Sequence, residues 1–127
     1  MSPQLEVRLE WYGAHDLDLF VIEPDGNEIS CSHTDGGMGG GVYAADESCL
    51  PLSMMCDATT LYIERVVWDQ VAMPASGNYQ IQIANGRADT TTSATIVVMA
   101  DGVERLRCEL TTPARKGQRA APVSLMY

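Results

Sequence analysis

The stretch TTSATIVVMADGVERLRCEL, residues 91–110, decides the fold. Two runs suited to β-structure flank Asp101-Gly102, a dipeptide whose tolerance of positive φ closes a tight hairpin with the twist of paired strands. The same pattern extends upstream. Leu5, Val7, Leu9 and Trp11 alternate with Glu6, Arg8 and Glu10, the period of a half-buried strand with a charged outer face. Residues 60–68 are β-branched and aromatic. Leu61, Ile63 and Val67 share one face and Tyr62, Glu64, Val66 and Trp68 the other, both largely apolar, as in a central strand. Tyr79, Ile81 and Ile83 alternate with Gln80 and Gln82 between a turn at 73–78 and Asn85-Gly86.

Residues 16–23 form a further run, set off by Gly13-Ala14 and closed by Pro24-Asp25-Gly26-Asn27, where Pro24 fixes φ and Gly26 supplies a positive one. It reads as a strand adjacent to that of residues 5–11. Short strands follow at 28–32 and 123–127. Eight or nine short strands without helical periodicity predict an all-β fold, an antiparallel β-sandwich. A closed barrel has the same pattern and is the alternative.

At 127 residues, 46% hydrophobic and 20% charged, the chain suits one globular domain, residues 1–127, whether it stands alone or is excised from a larger exported protein. Seventeen acids against eight basic residues give a net charge of −9, and fifteen of those acids lie at or before Asp101. That field opposes nucleic acid and anionic membrane surfaces and favours cations. The basic residues beyond it, Arg105, Arg107, Arg115, Lys116 and Arg119, lack interleaved aromatics and read as a solvated face. No apolar run approaches the roughly 18 residues of a membrane span, so no membrane insertion is expected.

Residues 34–41 (TDGGMGGG) carry five of the eleven glycines and read as a flexible loop. Residues 42–58 are irregular and contain Cys49, Pro51 and Cys56, the pattern of a long, pinned connection. Cys31, Cys49, Cys56 and Cys108 form an even set. Disulfides would join Cys49 to Cys56 across the loop and Cys31 to Cys108 between an early and a late strand; four free thiols would instead suit the cytoplasm. Cys31, His33, Cys49 and Cys56 match no usual tetrahedral zinc spacing.

The sharpest local feature is Asp16-Leu17-Asp18-Leu19-Phe20-Val21-Ile22. Strand residues two apart point the same way, so Asp16 and Asp18 put two carboxylates on one face, followed by Phe20 and Ile22. Like charges side by side call for a cation. Calcium takes about six to eight oxygen ligands in flexible geometry, which a strand end with loops can supply more readily than the strict octahedron of magnesium. Glu64, an acid within an apolar strand, and Asp46 or Glu47 in the long loop would add oxygens. The alternative is that Asp16 and Asp18 cap a solvated strand end while Glu64 pairs with Arg8 or Arg107.

The run Leu9-Glu10-Trp11, then residues 16–29, resembles the "L-x-W … D-L-D-L-H-V-x-x-P-x-G-x-x-I" opening of the bacterial extracytoplasmic YfaP-like domains, also grouped as DUF2135. These are similar to pre-peptidase C-terminal β-sandwich domains. The Gly-rich segment 36–41, Asp46-Glu47-Ser48-Cys49, Glu64-Arg65-Val66-Val67-Trp68, and residues 74–81 continue the resemblance in order. Phe20 stands where the family often has His, and Asp46 is a shifted match to its acidic loop. The resemblance implies a jelly-roll-like sandwich acting as a non-catalytic accessory or binding module of an exported protein, periplasmic, cell-surface or secreted. It also implies a structural Ca²⁺ held by Asp16, Asp18 and Glu64, with Asp46 as a further candidate.

Two other readings belong to different classes. A carbohydrate- or peptide-recognition domain of an adhesin or exported hydrolase could stack ligands on Trp11, Trp68, Tyr43, Tyr62 or Tyr79, although Trp11 and Trp68 fall on apolar strand faces that belong to the core. A Cys/His enzyme would use His15 or His33 as base; the chain is expected not to be an enzyme.

Overall fold

A computed structural model of the chain describes residues 2–13, 16–35, 39–46, 61–86 and 89–127, with residues 45 and 46 in backbone only. The strands are β1 (Leu5–Tyr12), β2 (Leu17–Ile22), β3 (Glu28–Ile29), β4 (Val42–Asp46), β5 (Leu61–Trp68), β6 (Asn78–Asn85), β7 (Ser93–Ala100), β8 (Val103–Thr111) and β9 (Val123–Met126). They form a five-stranded sheet in the order β4-β5-β1-β7-β8 and a four-stranded sheet in the order β3-β2-β6-β9. Every pairing is antiparallel. The result is a β-sandwich of two separate sheets, not a barrel.

Alternation does the sorting. Leu5, Val7, Leu9 and Trp11 of β1 face Leu17, Leu19 and Val21 of β2 and Tyr79, Ile81 and Ile83 of β6 in one buried cluster, together with Val66 and Trp68 of β5 and Ile96 and Val98 of β7. Trp11 stacks on Tyr62 with ring centroids 5.4 Å apart, so both belong to the core. At the hairpin, Asp101 and Gly102 adopt φ of 50° and 80°, the paired positive values that a two-residue turn of this hand requires.

The opposite face of the five-stranded sheet is a charge lattice. One row runs Arg65, Arg8, Val97, Arg107 across four strands, and the next runs Ile63, Glu10, Thr95, Glu109. Arg8 pairs with Glu6 and Glu10 at 3.3 Å each, Arg65 with Glu6 at 3.3 Å, and Arg107 with Glu104 at 2.8 Å. The exposed Arg107–Glu104 pair contributes little by itself, whereas Glu6 is buried beneath Arg8 and Arg65. The row leaves Val97 only 1% exposed on the face away from the core, with the long side chains of Arg8 and Arg107 on either side. On the other sheet, Gly117 and Ala120 donate to Asn85 and Ile83, laying the segment before β9 along β6. Arg119 thereby reaches over the Phe20 ring, 3.7 Å from its centroid, and clasps the Glu28 carboxylate.

Three expectations change. The strands β1 and β2 are not neighbours: Gly13, at φ 101°, turns the chain out of β1, and β2 lies in the opposite sheet against β3 and β6. Residues 42–46, expected in a loop, form edge strand β4. Ala44 and Ala45 are too small to write an alternating pattern there. Cys31 and Cys108 are free thiols, not a disulfide. Cys31 follows β3, whereas Cys108 lies on β8 at the far edge of the five-stranded sheet, so the pairing had the wrong geometry. The Cys49–Cys56 pairing lies outside the described residues.

The glycine segment packs closely. A Cβ on Gly41 would stand 2.5 Å from Cε2 of Trp68, whose side chain is fully buried and cannot step aside. Overpacking a core of this kind typically costs about 1–3 kcal/mol. Gly41→Ala is therefore expected to lower stability by that amount in urea unfolding, with the circular-dichroism spectrum of the folded state unchanged.

Candidate functional site

Asp16 precedes β2 and accepts the Gly86 N–H on its backbone oxygen at 2.9 Å, which fixes the start of β2 against the end of β6. Asp18, opposite Ala84, shares a strand face with Phe20 and Ile22, the alternate set to fully buried Leu17, Leu19 and Val21. The same-face reading of Asp18, Phe20 and Ile22 therefore holds, and the face is the one turned from the core. Asp18 is half-buried, and its carboxylate occupies the space above Gly86 where a side chain would otherwise stand. Burial raises its pKa from the ordinary aspartate value, and the Asp16 charge raises it further.

Glu64 sits on the opposite sheet. It lies on the inner face of β5, between Leu9 of β1 and Ala45 of β4, and is only 3% exposed. Its partner is Tyr43 on β4, whose phenol donates to the Glu64 carboxylate. Burial first, then the Glu64 charge and this hydrogen bond, push the Tyr43 pKa far above the usual tyrosine value. The arginines considered as partners are engaged elsewhere, Arg8 with Glu6 and Glu10 and Arg107 with Glu104.

Cys31, exposed, sits in the tight turn closed by mutual backbone hydrogen bonds of Ser30 and His33, within reach of the charges of both acids. Thr34 then accepts the Tyr43 N–H, carrying the chain from one sheet to the edge of the other. Burial, then the charges of Asp18 and Glu64, push the Cys31 thiol up. Asp18 and Glu64, on opposite sheets, thus act on the same two groups, Cys31 and Tyr43. Among the described residues, however, no three His, Cys, Asp or Glu side chains are grouped to hold a metal. Asp46 is described only in its backbone, opposite Ile63, and its side chain lies outside the described residues, as do Glu47 and His15.

A second acid marks the far end of β2. Glu23, 4% exposed, accepts Asn27 Nδ2 at 2.9 Å within the turn at 23–27. Burial raises its pKa, and the Asn27 amide and the Trp68 indole beside it pull it part of the way back. Sequence reasoning named Tyr43 only as a stacking aromatic and Gly86 only as a turn residue, and it missed the Tyr43–Glu64 contact, the place of Gly86 beneath Asp18, and Tyr12. Tyr12 continues the outward row Glu6, Arg8, Glu10, and that parity was the available signal.

The Asp18 shift has a sign that can be tested. The folded chain holds this proton more tightly than the unfolded chain, so stability falls as pH rises from the ordinary aspartate pKa through the raised one. In buffer free of divalent ions, Asp18→Asn is expected to be the more stable protein at pH 7. The gap should close below the ordinary aspartate range, as denaturant unfolding at the two pH values will read. Comparison with protein-family models, with curated proteins and with solved structures finds no match to this chain.

Proposed function

We propose that the chain is a non-catalytic β-sandwich module of a bacterial exported or surface protein, of the kind its YfaP-like resemblance implies, and that a calcium ion binds at the start of β2. The observation that carries the calcium reading is Asp18, a half-buried carboxylate held beside Asp16 with its charged form disfavoured. A hard cation reverses that penalty.

The residues fit one side of such an ion. Asp16 and Asp18 supply the carboxylates, with backbone carbonyls and water as the remaining oxygens. Glu64 is engaged by Tyr43, so its role in the proposal is reduced to charge acting from the neighbouring sheet. A site with two carboxylates belongs with the weak extracellular calcium modules, whose dissociation constants are about 10⁻⁴–10⁻³ M. The ion would pin the start of β2 to the Asn85-Gly86 end of β6, a structural role.

The non-catalytic reading draws support from Cys31. A nucleophilic thiol needs its pKa lowered by positive neighbours, and this one is pushed up by burial and two carboxylates.

Calcium at about ten times its dissociation constant would stabilise the fold by roughly 1.4 kcal/mol, a rise in melting midpoint of about 5 °C over the protein in chelator. Gly86→Ala gives the sharper arm. The added Cβ displaces only the mobile end of the Asp18 side chain, so the variant should fold normally and lose the calcium response. Equal midpoints with calcium and with chelator in the parent protein would overturn the calcium reading.

A further inference from the structure

A groove opens at the end of the five-stranded sheet where the charge lattice stops. It has a volume of about 630 Å³, within the range of small-ligand sites. Tyr12, one row beyond Glu10 on the same face of β1, stands at its wall with 61% of its surface exposed, paired across β1 and β5 with Leu61. The floor is hydroxylated. Thr95 lies between Glu10 and Glu109 in one cross-strand row, and Ser93 pairs with Thr111 in the next. The rim beyond is held by Thr92 and Thr112, where Thr112 donates its N–H to the Thr92 oxygen and accepts the Thr92 N–H on Oγ1, each at 2.9 Å. These two buried residues stiffen the ends of β7 and β8 and leave Thr91, Ser93 and Thr111 facing outward.

We propose that this groove is a saccharide-binding site for a neutral glycan. The inference rests on the binding-module reading for its biological sense but not on the calcium ion, which belongs to another part of the sandwich. Sugar recognition needs an exposed flat ring for the apolar C–H face, and acceptors and donors spaced for adjacent hydroxyls. Tyr12 supplies the ring. Glu10 and Glu109 supply acceptors on either side of Thr95, and the threonine and serine hydroxyls both donate and accept.

Local charge selects a neutral ligand over a basic peptide. Glu10 is paired with Arg8 at 3.3 Å, and Arg107, held chiefly by Glu104, also acts on Glu10 and Glu109, so the two carboxylates are partly compensated from within the sheet. Their lone pairs stay available to hydroxyl donors, while little net negative field remains to hold a cation. An acidic sugar would find no cation to pair with, because Arg8 and Arg107 are already engaged by glutamates.

The test is a glycan array of neutral, amino and acidic oligosaccharides, followed by ¹⁵N NMR titration of the full chain with the best neutral hit. Binding is expected among the neutral glycans, with shifts confined to residues around Tyr12, Thr95 and Thr111. Tyr12→Ala should weaken binding at least about tenfold with an unchanged melting midpoint, because its ring is exposed, and Ser93→Trp should fill the groove and abolish binding. The proposal is overturned by the absence of neutral-glycan shifts at millimolar ligand, by affinity that Tyr12→Ala leaves untouched, or by binding of a Lys/Arg-rich peptide alone. A calcium-dependent midpoint in a protein that binds no glycan would leave the module reading standing without this site. A glycan hit with no calcium response would leave this site and the module reading standing without the calcium ion.

Discussion

The Trp68 indole, fully buried at the end of β5, makes two demands on the rest of the chain: an edge-on partner from the opposite sheet and a stretch of backbone with no side chain above the ring. Tyr79 of β6 meets the first at 5.6 Å and 85°, and is itself braced by Tyr127 beyond β9. Gly41 meets the second. Because the tyrosine hydroxyl must also be satisfied, it donates to the Ala75 oxygen at 2.6 Å, and its pKa is pushed up to about 12, chiefly by burial. One large side chain thus sets the spacing of the sheets, the path of the glycine segment into β4, and the position of the loop before β6.

The alternating strands were legible because the period of two is burial itself. In β1, β2, β5 and β6 one alternate set is buried against the core, with Glu64 the one acid in it, and Asp101-Gly102 turned as its chemistry requires. Pairing was not legible. Alternation is unchanged by which strand lies alongside, so β1 could equally have sat beside β2, and only the packed structure places β5 and β7 there. The glycine run announced conformational freedom, whereas at Gly41 it serves close approach to Trp68. For the site, parity put Asp18 on the face shared with Phe20 and Ile22 correctly. The Glu64–Tyr43 contact was hidden because residues 42–46 carry no strand signature, so nothing in the sequence brought Tyr43 beside Glu64.

The two regions singled out differ in how they handle charge. Near Cys31 the acids are partly or wholly withdrawn from water, and each distorts the titration of its neighbours. On the outer face of the five-stranded sheet the acids alternate with arginines and pair with them, Glu6 beneath Arg8 and Arg65 and the others nearer solvent, so the same net negative composition produces a surface of paired charges. The overall charge of −9 therefore describes neither region.

The four-stranded sheet joins strands made far apart in time. On the ribosome β2 and β3 emerge early, yet β6 is flanked by β9, and Arg119, which spans Phe20 and Glu28, arrives only just before it. Until then one long edge of β6 has open backbone groups, and the core beneath it lacks Leu125. The sheet is complete only when β9 has paired with β6, and the contacts of Arg119 with Phe20, Glu28 and the Ala84 backbone join the segment before β9 to three earlier strands.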